Sequence, residues 1–238
     1  MTTATFIKRI ISDIADILMP RSCPVCGKVL SAHEKHICDA CMLNLPRTGL
    51  HEHQFNAMEQ LFAGKTPIER ATGYFFYEKN NRFAAILHRL KYHNDPKLGE
   101  WLAGKFAKEI AASGFFDGID VIIPIPLHKS KLIKRGYNQS EYIARGISNA
   151  TGIPIDTGII CAIKPHATQT RKGMYERYIN SIGIFGIKHP ERIVGKHVLI
   201  VDDVVTTGAT IISCATLMNS EISGITVSAA TLAVARLS

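Results

Sequence analysis

The alternation of apolar and polar positions divides the chain into short elements of two kinds. Near the start, Phe6, Ile7, Ile10, Ile11, Ile14, Ile17 and Leu18 recur at helical spacing and are interrupted by Lys8, Arg9, Asp13 and Asp16. This predicts an amphipathic helix rather than the unbroken core of a signal peptide. Lys97 to Ala112 sets Leu98, Trp101, Leu102, Phe106 and Ile110 on one helical face, a pattern of core packing. Asp120-Val-Ile-Ile-Pro-Ile-Pro reads as a short strand ended by prolines, followed by a helix from Gln139 to Ala150 that Gly152 and Pro154 stop. His197 to Val201 is a second aliphatic strand, Thr210 to Met218 a helix, and Thr226 to Val234 a third strand. Short aliphatic runs joined by helices predict an α/β fold with parallel pairing, buried on both faces. No run approaches the roughly 18 uninterrupted apolar residues of a membrane span, so no transmembrane helix is expected and the chain is expected to be retained in the cytoplasm.

Composition changes this picture only through charge. Of 238 residues, 46% are hydrophobic and 20% charged, ordinary for a globular chain, but the net charge is +8, which suggests an anionic partner. The excess has a location. From Asp120 to Tyr178 there are nine Lys or Arg against four acids, whereas Met1 to Leu50 has six against four.

Cysteine spacing marks off the beginning of the chain. Cys23-Pro-Val-Cys26 and Cys38-Asp-Ala-Cys41 are two CxxC knuckles separated by eleven residues. Each knuckle lets two thiolates approach one metal from a tight turn, and two complete the closed tetrahedron of structural Zn²⁺. Disulfides fit poorly in a chain without a secretion signal, and haem attachment would need a His after CxxC. His33 and His36, between the knuckles, are expected to face solvent, and Cys161 and Cys214 to be buried small hydrophobes.

The run from Val198 to Thr210 carries the sharpest chemistry: four aliphatic residues, Asp202 and Asp203, then a Thr/Gly loop opening a helix. One reading is a buried strand that ends at a solvated acidic turn. The other is a phosphate cradle with a ribose clamp beside it. A loop leading from a strand into a helix offers unpaired N–H groups and the positive end of the helix dipole, with the hydroxyls of Thr206, Thr207 and Thr210 as further donors. Gly208 would let a phosphate approach the backbone closely. The two acids repel a phosphate and need hydroxyl donors or a metal, so a ribose 5-phosphate suits both halves. The run is neither a Walker loop nor GxGxxG.

Val198 to Thr210 resembles the phosphoribosyl pyrophosphate signature of type I phosphoribosyltransferases. The knuckles, then His88-Arg-Leu-Lys91-Tyr92, then Pro124-Ile-Pro126 leading to Arg135-Gly-Tyr-Asn138-Gln139, then Gln169 through Arg177 and Asn180 to Phe185, are similar to the ComF family in kind and order. His166 departs from that pattern, which has threonine. The resemblance implies a type I phosphoribosyltransferase-like parallel sheet flanked by helices over 51–238. It places a small zinc-ribbon-like segment, with the amphipathic helix, in 1–50. It further implies that Asp202 and Asp203 hold the ribose hydroxyls and oppose positive charge developing at the anomeric carbon, and that Val205, Thr206, Thr207, Gly208, Ala209 and Thr210 hold the 5-phosphate. Leu127, His128 and Lys129 would take the pyrophosphate with Mg²⁺, followed by Arg135, Asn138 and Gln139, although Asn138 also reads as a helix cap. Residues 168–177 would form a hood with Arg171, Lys172 and Arg177 reaching toward phosphates, Tyr175 and Tyr178 packing beneath. The implied function is binding of phosphoribosyl pyrophosphate with Mg²⁺ and transfer of phosphoribosyl to a nucleobase-like acceptor. The alternative is a non-catalytic accessory of DNA uptake that binds single-stranded DNA, against which aromatics interleaved with Lys and Arg are sparse. No sequence signature specifies the acceptor or the oligomeric state.

Overall fold

The computed structural model describes residues 21–163 and 183–236. The N-terminal amphipathic stripe and the hood segment, with His166, Arg171, Lys172, Tyr175, Arg177 and Tyr178, lie outside the described residues. In chain order the described elements are α1 (Asp39–Leu43), α2 (Ala57–Gln60), β1 (Ala71–Tyr77), α3 (Ala84–Tyr92), α4 (Pro96–Ile110), β2 (Val121–Pro124), α5 (Lys129–Arg135), α6 (Gln139–Thr151), β3 (Ile160–Ala162), β4 (Phe185–Ile187), β5 (His197–Val205), α7 (Ala209–Glu221) and β6 (Thr226–Ala235).

Four strands form one sheet in the order β1-β6-β5-β2, and every neighbouring pair is parallel. The alternation along β5 divides its side chains between two cores. Leu199 and Val201 pack with Leu98, Leu102 and Phe106 of α4 and Ile143 and Ile147 of α6. Val198 and Ile200 pack with Cys214, Ala215 and Met218 of α7. Helices thus cover both faces, and a fully buried aliphatic side chain contributes about 1.5–3 kcal/mol, which is why β5 reads as an unbroken apolar run. The fold class is the expected one, a parallel α/β sheet flanked by helices. α4 and α6 approach closely at Gly146, where a Cβ would land on the carbonyl oxygen of Glu100.

Two local expectations are corrected, and one strand was not foreseen. β5 does not stop at Val201 but carries both aspartates to Val205, because β6 pairs with it along the whole length, Asp202 opposite Thr231 and Val205 opposite Val234. The acidic pair therefore lies inside the sheet rather than at a solvated turn. β1, which the periodicity did not isolate, is a strand of aromatic residues on the outer edge of β6. β3 and β4 form a separate antiparallel pair, so the pairing is not wholly parallel.

The cysteine segment shares a core with the rest of the molecule: Val25, Leu30, Ile37 and Leu45 belong to the same apolar cluster as α4. Arg47 grips Glu109 of α4 through two hydrogen bonds of 2.7 and 3.0 Å, and the Tyr74 hydroxyl donates to the same carboxylate at 2.6 Å. His36, expected in solvent, is half-buried against Trp101 with ring centroids 5.6 Å apart, and burial holds its imidazole below the usual pKa. His33 is exposed as expected, Cys214 is buried and Cys161 is partly so.

Candidate functional site

The acidic pair sits near the end of β5, where the first turn of α6 meets it. Asn138 fixes that turn, accepting from the Ser140 amide at 3.2 Å and donating to the Ile125 carbonyl at 3.0 Å. Its cap reading is thus observed, and both ends of its amide are engaged in positioning. The two residues that follow it reach the carboxylates. Gln139 donates its side-chain amide to Asp203 Oδ2 at 2.9 Å, and Ser140 Oγ donates to Asp202 Oδ1 at 2.9 Å. The Asp203 backbone amide adds a second bond to Asp202 Oδ1 at 2.9 Å. Arg135 hydrogen-bonds the carbonyl oxygen of the Gln139 side chain, so that amide is oriented from both sides.

A cation from a distant segment completes the cluster. Lys91 Nζ lies 3.1 Å from Asp203 Oδ2, with side-chain exposures of 25% and 5%, so the pair is largely out of water. Lys91 is brought there by the last turn of α3, which the Tyr137 hydroxyl ties down by bonding the Leu90 carbonyl. Burial would lower the Lys91 pKa, but Asp203 and then Asp202 outweigh it and hold the ammonium charged. Lys131 of α5 is lowered by burial and by the neighbouring charges of Arg135 and Lys91. Asp202 is pushed up to about 7, first by burial and next by the charge of Asp203. The pair is therefore poised to carry one proton near neutrality, as two adjacent carboxylates in a poor solvent do.

Beyond β5, residues 206–208 turn into α7. No side chain caps this thirteen-residue helix, whose cap position is Gly208 at φ 75°. Thr206 is exposed, Thr207, Ala209 and Thr210 are half-buried, and Val205 is buried beneath them in the core with Phe62. The need for glycine at 208 has a source the sequence did not reveal: its left-handed backbone, and a Cβ there would come within 3.0 Å of Phe62 Cε1. On the other side of the pair, Leu127 and His128 are half-buried and Lys129 is exposed. His128 caps α5, accepting from the Ser130 amide at 3.3 Å.

Sequence reading thus named Asp202, Asp203, Arg135, Asn138 and Gln139, which are joined in one network. Lys91 and Ser140 were missed as site residues. Lys91 stood within the His88–Tyr92 run, and Ser140 directly follows Asn138-Gln139, so a charge and a hydroxyl inside quoted motifs were the available signals.

The second candidate site is the cysteine cluster. The sulfurs of Cys23, Cys26, Cys38 and Cys41 all lie within 4.8 Å of one another, the Cys26–Cys38 pair at 3.6 Å, and all four are free thiols. The turn of the first knuckle closes by the Gly27 amide donating to the Cys23 carbonyl at 2.8 Å. The Cys26 thiol is lowered to about 7, chiefly by the Lys28 backbone amide, while burial raises Cys38 and Cys41. These four residues could hold a metal ion. Among the described residues no helix is long and apolar enough to cross a membrane.

No family model matches the chain. The DNA utilization protein YhgH of Salmonella typhimurium is 26% identical over 199 residues, covering 82% of this chain and 77% of that protein. Competence protein ComFC of Bacillus subtilis is 24% identical over 189 residues, covering 79% of this chain and 68% of its own. Among solved structures, adenine phosphoribosyltransferase from Leishmania tarentolae aligns with 75% of this chain and 88% of its own at 12% identity, with a TM-score of 0.37.

Proposed function

We propose that this chain, a member of the ComF family of competence and DNA utilization proteins, binds 5-phosphoribosyl 1-pyrophosphate between the acidic pair and the 206–210 loop and transfers its phosphoribosyl group to a nucleobase-like acceptor. One observation carries this reading. Asp202 and Asp203 are each held by donors on one carboxylate oxygen, in a sheet that leads directly to an uncapped helix start. The remaining oxygens suit a vicinal diol, and the open amides suit a phosphate. Val205 supports the loop, and Thr206, Thr207, Gly208, Ala209 and Thr210 supply its donors. Negative charge on the pair would also stabilise positive charge at the anomeric carbon as the pyrophosphate leaves. In this reading Leu127 and His128, with Lys129 and Arg135 of α5, take the pyrophosphate, and Arg171, Lys172 and Arg177 would be further phosphate contacts.

Mg²⁺ would neutralise the departing pyrophosphate. The residues around the acidic pair fit it poorly as ligands of their own, because cations and hydrogen-bond donors already occupy one oxygen of each carboxylate. Mg²⁺ therefore belongs with the pyrophosphate oxygens in this reading. The cysteine cluster, in the 1–50 segment, suits structural Zn²⁺: Zn–S bonds of about 2.3 Å in a tetrahedron set sulfurs about 3.8 Å apart, close to the 3.6 Å between Cys26 and Cys38.

The test is calorimetry of the pure protein with phosphoribosyl pyrophosphate and Mg²⁺, followed by a panel of nucleobases. Saturable heat with wild type, and none with Asp203→Asn, supports the reading. No heat with wild type at millimolar ligand sinks it. The names of the relatives favour a second reading, an accessory of DNA uptake that binds single-stranded DNA, with the lysines of α5 as its contact surface.

A further inference from the structure

We propose that Lys91 is the built-in counter-ion of the acidic pair, so that a ligand with a vicinal diol and a phosphate is held at its ribose end without a divalent cation. This rests on the sugar-phosphate reading of the site and adds what the site asks of its ligand.

The argument begins with a count of charges and lone pairs. Lys91 is the direct partner of Asp203 at 3.1 Å, and Arg135 stands one residue behind, bonded to the Gln139 amide that reaches the same carboxylate. With one proton shared near neutrality, the charge that remains on the pair is thus already matched by Lys91, with Arg135 close behind Gln139. A divalent cation brought to the pair would meet a surplus of positive charge in a largely dry site, where like charges are poorly screened. The lone pairs give the same answer. Asp203 Oδ2 takes both the Lys91 ammonium and the Gln139 amide, and Asp202 Oδ1 takes the Ser140 hydroxyl and the Asp203 amide. One oxygen per carboxylate remains. Two single oxygens are a small share of the six that Mg²⁺ requires, and among the described residues no third Asp, Glu, His or Cys joins the pair to make a metal-binding group. Two such oxygens do match two adjacent O–H donors.

Lys91 is held for this role from outside the cluster. Its helix end is fixed by the Tyr137 hydroxyl on the Leu90 carbonyl, and its side chain is mostly buried. An ammonium kept there compensates Asp203 in the free protein and stays when the diol arrives. A bound metal would have to be recruited for each binding event.

The probe is ribose 5-phosphate, which has the diol and the phosphate but no pyrophosphate to attract Mg²⁺ for its own sake. Calorimetry is run in EDTA and again in Mg²⁺, on wild type, Lys91→Met and Lys91→Arg. Wild type should bind with the same affinity in both buffers. Lys91→Met should bind at least about tenfold more weakly in EDTA, the loss expected for one charged hydrogen bond, and regain affinity when Mg²⁺ is added. Lys91→Arg should stay independent of metal. Circular dichroism checks that the variants fold. The double variant Lys91→Met with Asp203→Asn, which also removes the carboxylate that Mg²⁺ would have to compensate, should not regain affinity with Mg²⁺. The inference is overturned if wild type needs Mg²⁺, or if Lys91→Met weakens equally in both buffers. If wild type binds ribose 5-phosphate in neither buffer, the sugar-phosphate reading fails and this inference with it.

Discussion

Asp202 illustrates how a residue's neighbours, rather than its type, set its chemistry. Its pKa in the folded protein is raised to about 7, against the 3.8 of an ordinary aspartate, so the folded protein binds a proton that the unfolded chain releases. Stability therefore falls as pH rises through that window and stays reduced above it, the reverse of a salt-bridged carboxylate. Replacing Asp202 by asparagine removes this dependence. Melting curves of wild type and Asp202→Asn should diverge in favour of the variant from about pH 4 to about pH 7, by about 2–4 °C for each kcal/mol, and stay apart above it. Parallel curves would show that Asp202 titrates normally. Transfer activity should nevertheless fall in the variant by about a hundredfold, as for loss of one group aimed at a transition state. Asp203 differs, because its removal leaves the Lys91 ammonium buried without a partner. At this scale the sequence announced the two acids, but not that Asp203 is buried and Asp202 half-buried, since burial is decided by β6 and α6 rather than by the residues adjoining the pair. Lys91 was equally hidden: an ion pair between α3 and β5 leaves no periodicity.

At the scale of elements, legibility followed length and period. α4, α6, α7 and β6 were readable because a face or a run repeats over ten residues or more. β3 and β4 were not, being three residues each and paired across an intervening segment. The cysteine knuckles were readable by spacing alone, yet their dependence on α4 was not. That dependence shapes the expected outcome of removing a ligand. Protein purified without added zinc should contain close to one equivalent of the metal, and Cys38→Ala should lose it. Because Ile37, Cys38 and Cys41 share the α4 core, the loss should lower the melting temperature of the whole protein and not of one segment. Zinc analysis beside a single thermal scan tests both. A metal-free, fully stable wild type would overturn the assignment.

The whole molecule adds its field. The net charge of +8 attracts any polyanion, and the lysines of α5 lie beside the site proposed for phosphoribosyl pyrophosphate. If single-stranded DNA binds, the affinity should fall steeply with salt, with a slope that counts the phosphates contacted. Phosphoribosyl pyrophosphate should compete with it. Fluorescence anisotropy across a salt series, with and without the sugar phosphate, reads both effects, and binding that high salt leaves unchanged would exclude this surface.

The order β1-β6-β5-β2 also bears on how the chain is made. β6 follows β1, β2 and β5 in synthesis but is inserted between β1 and β5. While the ribosome is still producing residues before Thr226, at roughly 5–20 residues per second, β1 has only the short antiparallel bridge of Phe75 with Arg47, and the edges of β1 and β5 that β6 will cover stand open. The aspartates are then already translated, but the strand that lines them up with Thr231 is not. The sheet cannot be completed before β6 is made, and until then the nascent chain presents open apolar edges on β1 and β5 that invite a chaperone.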